Sequence, residues 1–420
     1  MVRLKARVGR KNGLPLNRNT AHGVARLLVA SLALGLGSPG VSAGVREQAK
    51  VMHDRLAGVP PSQAVLLDMA ADLEAGDYTS AAYTAMDNEA FLAVTLKNWI
   101  TPWTNRDQDV FRDLNDYTAT VIGVIRDERD FREILYSDIL YTADPDLGLA
   151  AYSNSNNTQY QQLETQGLPL STALVPVQQS QVNGLPEAAT AGVMTSRAAA
   201  KEFFIAGTNR AMFRFTLLNH LCVDLEQVKD TSRPPDRIRQ DVSRSPGGDS
   251  RVFLNNCIAC HSGMDPMAQA FAYYDFEFNP GADPDAVNGS IHYNGSGDID
   301  AATGTRVEAK YHINSANFSY GFVTPDDRWD NYWRQGPNRN LGWDSGLPGS
   351  GSGAKSMGME LAHSEAFAQC QVKKVFRAVC LREPGDADDR SHLSGTTALF
   401  QDGYNLKKVF AETANYCKQP

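Results

Sequence analysis

The stretch Cys257-Ile258-Ala259-Cys260-His261 constrains this chain more than any other. Two thiols with two residues between them, and a histidine directly behind the second, make the C-x-x-C-H attachment sequence for a c-type haem. The chemistry needs that spacing. The sulfurs add across the two vinyl groups of one porphyrin, and the histidine then lies beneath the ring with a nitrogen aimed at the iron. Axial ligation and the surrounding shell set the potential of such a centre. Two other uses of C-x-x-C compete. A thioredoxin-like dithiol wants a strand before it and a long helix after it. Here Gly247-Gly248-Asp249-Ser250 precedes and Ser262-Gly263-Met264-Asp265-Pro266 follows. A zinc site wants a second Cys or His pair at close spacing, and the sequence offers none. No second C-x-x-C-H occurs, so one covalent haem c held by Cys257, Cys260 and His261 is expected.

Haem c is assembled after export, and residues 1–43 read as a secretory signal. Arg3, Lys5, Arg7, Arg10, Lys11, Arg18 and Arg26 form a basic region without acidic residues. Leu27 to Leu36 is the apolar run, and Val41-Ser42-Ala43 is a small-residue cleavage site. The apolar run is shorter than a membrane span requires. A periplasmic or secreted protein with no membrane span after processing is expected. Seven of the 40 basic residues leave with the leader, so 33 face 48 acidic ones, a net charge of −15. That balance argues against nucleic acid as a partner. It suits docking to a basic redox partner protein, and equally a merely soluble acidic surface.

The patterning predicts a mainly α fold. A helical N-terminal domain would span 44–245. A helical, cytochrome-c-like haem domain would span 246–420, with long loops, a small β-hairpin and a three-helix closure. Helices are expected over Val45–Leu56, from Ser62 to Gly76, and at Thr79–Met86, Asn88–Trp99, Leu114–Ile125 and Asp130–Leu140. Residues 142–186 lose periodicity and read as long loops with short helices. A long helix from Thr195 to about Leu221 is open to division at Gly207 and Asn209. Asp265-Pro266 reads as the start of a short helix, Met267 to Tyr274. Ser290–Tyr293 before Asn294-Gly295 reads as one arm of a hairpin, continued by 305–313. Asp283, Asp285, Asp298 and Asp300 do not match a calcium loop and are assigned to turns. The closing helices are Ser364–Leu381, Asp388–Phe400 and Tyr404–Cys417.

Cys222, Cys370, Cys380 and Cys417 remain beside the motif, an even number that fits disulfides outside the cytosol. Cys370 and Cys380 fall on one helix, about 15 Å apart, too far to bond. An antiparallel last helix would join Cys370 to Cys417 and leave Cys222 for Cys380. Cys380 with Cys417 stays open.

The chain resembles the Planctomycete-cytochrome-type family of exported cytochrome-c-like proteins, whose domains have no defined function. The resemblance rests on Cys257–Pro266, on Tyr274-Asp275-Phe276, and on Phe367, Cys370, Leu381-Arg382 and Gly403-Tyr404-Asn405-Leu406. Arg55–Pro61 is more weakly similar. The family implies haem c and an α-rich fold, and no particular reaction. The chain departs from it in being short and in lacking extra carbohydrate-binding or cytochrome domains.

The sixth iron ligand decides what such a centre does. Met264 falls on the same side of the ring as His261. Small c-type cytochromes imply a downstream methionine, which points to Met357 or Met359. His292, His312, His363, Met194 and Met212 stay open. A six-coordinate iron means single-electron transfer. An open distal site means a haem peroxidase-like enzyme, with His292, His312 or His363 as acid–base residue. A third possibility is a haem-stabilised structural subunit of an exported complex. With no acid–base set in the sequence, electron transfer is preferred. Arg237, Arg239 and Arg244 are candidates for the haem propionates, or simply solvated.

Overall fold

Short polar side chains start the helices of this protein. The Ser62 hydroxyl accepts from the Val65 amide at 3.3 Å and opens Gln63–Glu74. Asp77 accepts from the Ser80 amide at 3.0 Å and opens Tyr78–Met86. Asn115, Ser364, Asp386 and Asn405 act alike for Asp116–Arg126, Glu365–Cys380, Ala387–Gln401 and Leu406–Tyr416. Each cap satisfies an amide that the first turn leaves without a partner, and contributes about 1 kcal/mol. Val45–Ala57 stops at Gly58, where φ is 72° and a side chain would be strained.

The computed structural model describes residues 44–419, and the leader read over 1–43 lies outside them. The architecture is mainly helical, 53% helix against 7% strand, so strands pin loops and build no framework. Three two-stranded antiparallel pairs occur: Leu140–Ala143 with Leu174–Val177, Tyr274–Phe278 with Gly289–Tyr293, and Arg328–Asp330 with Ser350–Ser352. One apolar core gathers residues from both 44–245 and 246–420. The chain ends explain this. Val45–Ala57 and Tyr78–Met86 pack on Leu406–Tyr416, and Phe91 meets Phe410 edge to face at 5.4 Å. The Arg55 guanidinium donates to the Cys417 carbonyl.

Three expectations change. Asp130–Leu140 is not one helix. A tight turn, Phe131–Leu135, leads to strand Leu140–Ala143, whose Tyr141 packs against the bare Gly123. The strand at Gly289–Tyr293 pairs with the upstream Tyr274–Phe278 and not with 305–313. Tyr274 therefore lies in a strand and not at a helix end. No new helix starts at Asp265-Pro266, because Ile258–Ala268 runs through the proline. The helix from 195 takes the division left open for it, into Arg197–Phe203 and Arg210–Thr216, with Asn209 at φ 57° between them. The aspartates 283, 298 and 300 accept from nearby loop amides, as expected of turns.

Beside the central hairpin, Glu308 is 7% exposed and accepts from the Asn294 side chain at 2.9 Å. Burial, with Asp275 adding to it, pushes its carboxyl up to about 7. A raised carboxyl favours the protonated fold. That contribution is complete below the unfolded value of about 4.5 and is lost as pH rises through 7. Melting curves between pH 5 and 8 should therefore show falling stability, by on the order of 2 kcal/mol from this group. Glu308→Gln should flatten part of that fall. Asp327, pushed up to about 6 mainly by burial, supplies a remainder of the same sign. An unchanged pH slope in the variant would refute the assignment.

Candidate functional site

The motif sits on a helix with a wide turn at its start. Phe253–Cys257 forms one π-type turn, and Ile258–Ala268 continues from it. Such a turn shifts the face that later residues present. The helix seats its inner side closely. A Cβ on Gly263 would stand 1.9 Å from the indole nitrogen of Trp333, which is fully buried. The outer side carries Leu254, Cys257, Ile258, Cys260 and His261, all partly or largely exposed. Spacings of three and four place these residues along one side of the helix.

The two thiols stand apart from the other four. Cys222 bonds Cys370 and Cys380 bonds Cys417, while Cys257 and Cys260 are free. The pairing that required an antiparallel last helix is replaced by the one left open. Cys380 and Cys417 each close a helix, and it is those two ends that meet. Cys257 packs beside Ile238, Val242 and Phe253. The Cys260 thiol donates to the Leu225 carbonyl at 3.5 Å. Burial, then Glu226, pushes that thiol up. An exchange-active dithiol needs the opposite shift.

His261 is held from one side only. Its Nδ1 lies 3.1 Å from both oxygens of Asp265, one helical turn on. Its Nε2 makes no hydrogen bond among the described residues, is not a buried orphan, and belongs to a side chain 19% exposed. Asp265 is fully buried. The Arg210 guanidinium grips it with two hydrogen bonds, Nε to Oδ1 at 2.8 Å and Nη2 to Oδ2 at 3.0 Å. Arg210 also holds Asp241, and the guanidinium of Arg239 stands 3.8 Å from Asp265. Burial would raise the Asp265 carboxyl, yet Arg210, His261 and Arg239 together hold it well below the usual carboxylate range. Two half-exposed free thiols and an imidazole with Nδ1 engaged and Nε2 open fit haem c. Cys257 and Cys260 would hold its vinyl carbons, and His261 Nε2 its iron.

All the distal candidates except Met359 are core residues or hold polar partners. Met357 is buried without exposure on Gly353–Ala362, whose main neighbours include Phe131–Leu135 and Gln269–Phe271 but not the motif helix. Met359 is half-buried on the same helix, and Met194 and Met212 are core residues. His292 faces Asn294, Glu277 and Glu308; His312 meets the Thr324 carbonyl; His363 meets the Met359 carbonyl. Among the arginines, Arg237 pairs with Asp330, and Arg239 is buried against Thr208 and Tyr311. Arg244 lies between the rings of Phe253 and Phe318, so none of the three is simply solvated.

Asp265 and Arg210 escaped the sequence. A histidine and an aspartate four apart on one helix are a signal of contact, but the proline at 266 argued for a helix starting there instead. A cleft of about 670 Å³ shares the neighbouring segment: Asp224, Glu226 and Gln227 line it with Trp103 and Lys374. No helix among the described residues is long and apolar enough to cross a membrane. That and the two disulfides are compatible with an exported protein. No family model, curated protein or solved structure matches the chain.

Proposed function

We propose that this chain is an exported one-haem cytochrome of the c type that transfers single electrons. One observation carries the reading. The only free cysteines among the described residues lie four and one positions ahead of a histidine whose Nδ1 is anchored and whose Nε2 is open. Haem c, when bound, supplies a one-electron iron couple. The chain's own part is to bind and orient. Cys257 and Cys260 tie the group to the outer side of the helix, and His261 offers one nitrogen. Asp265 fixes the ring's tautomer by accepting at the other nitrogen. The acidic balance of the processed chain favours a partner with a basic docking face, and association with it should slow as salt rises.

Mass and pyridine-haemochrome measurements on the protein made in cells competent in cytochrome maturation test this. One covalent haem per chain is expected, and its ferric spin state reports whether a sixth side chain reaches the iron. A mass equal to the bare polypeptide would remove the haem reading. A high-spin spectrum shifted by cyanide would replace electron transfer by small-molecule chemistry at an open site.

A further inference from the structure

We infer that Asp265 is a positioning residue that pushes electron density onto His261 and so lowers the reduction potential of the iron; the inference rests on the haem reading above. The geometry goes beyond an ordinary buried ion pair. Both carboxylate oxygens lie 3.1 Å from the imidazole Nδ1, on the side opposite the nitrogen left for a metal. Three donors keep the carboxylate where it is. Arg210 grips both oxygens, and the Arg239 amide approaches Oδ2 at 3.4 Å. The Asp265 side chain has no solvent-exposed surface. A hydrogen bond to an ionised acceptor is about twice as strong as one between neutral groups. Given to the distal nitrogen of a ligating imidazole, it raises the ligand's basicity. A more basic ligand stabilises ferric over ferrous iron.

The surroundings sharpen the test. Asp265 and Asp241 face Arg210 and Arg239, two carboxylates against two guanidinium groups. Asp265→Asn and Asp241→Asn remove the same charge from the same cluster. Only the first changes the group that touches His261.

The experiment is redox titration of the haem-loaded full chain and the two variants. Asp265→Asn should shift the reduction equilibrium about tenfold toward the ferrous state, which is about 59 mV upward for one electron. Asp241→Asn should move it much less. Equal shifts in both variants would reduce Asp265 to a bulk charge and overturn the proposal, as would no shift in Asp265→Asn. Should that variant fail to fold, the wild-type protein carries the test. With 13C-labelled aspartate, its redox-difference infrared spectrum should contain a carboxylate band that moves on reduction and survives in Asp241→Asn. The absence of such a band overturns the assignment. A wild-type protein without haem fails the cytochrome reading itself. A loaded wild type with an unmoved Asp265→Asn potential fails only the role of Asp265.

Discussion

A Cys257→Ala, Cys260→Ala double variant, made alongside the wild type in cells competent in cytochrome maturation, should lose its haem-stained band on a denaturing gel entirely. Its mass should fall to that of the processed polypeptide. The test is clean because the two thiols do little for the fold. Both are half-exposed. Cys257 adds a sulfur to the edge of a small apolar cluster, and Cys260 makes one weak hydrogen bond to Leu225. Truncating such groups costs within about 1 kcal/mol. The variant should therefore accumulate as folded protein with its far-ultraviolet circular dichroism unchanged, colourless where the wild type is red. The attachment chemistry has no other free thiol among the described residues to fall back on. Covalent haem persisting in the double variant would sink the assignment of the motif, and with it the proposed function.

Removing the Cys222–Cys370 bond should have the largest effect on stability. It closes 148 residues, against 37 for Cys380–Cys417. On the chain-entropy account the long loop contributes about 5 kcal/mol and the short one about 4. Measured losses for native disulfides run at about 2–5 kcal/mol. The bond ties the end of Leu217–Leu221 to Glu365–Cys380. The same joint carries Gln371 Nε2 donating to the His220 carbonyl at 3.1 Å and Lys374 Nζ donating to Asn219 at 2.8 Å. Those contacts remain in a Cys222→Ser, Cys370→Ser variant, so the native structure should persist while the unfolded chain gains freedom. Urea denaturation should show a lower midpoint with a similar or steeper slope. The Cys380→Ser, Cys417→Ser variant should lose somewhat less. A midpoint that does not move when the long-loop pair is removed would refute the claim.

Much of the helical frame was legible because its signals are local. Ser62 before an apolar repeat and Ser364 at a closing helix act within four residues of their own backbone; the structure adds Gly58, Asp386 and Asn405 as ends and caps of the same local kind. The misread segments depend on distant partners. Leu140–Ala143 has enough apolar residues for a helix turn, yet it meets Leu174–Val177 more than thirty positions on and becomes a strand. Gly289–Tyr293 reads as an arm of a hairpin, but its partner lies upstream. Pro266 removes one helical donor and argues for a boundary. The helix continues because Trp333 packs against Gly263 and Arg210 holds Asp265, contacts invisible to any short window.

The same division holds at the candidate site. The spacing of Cys257, Cys260 and His261 points to the proposed chemistry without any fold, because two sulfurs and an imidazole at that spacing match one rigid macrocycle. Their order along the chain suffices for that. Which cysteines pair, what holds the carboxylate behind His261, and whether Met357 faces iron or core depend on segments tens of residues to 148 residues apart. Loop closure and packing decide such contacts. The charge behind the imidazole belongs to this second kind: Arg210 reaches Asp265 across 55 positions, a pairing that exists only once two helices have packed side by side.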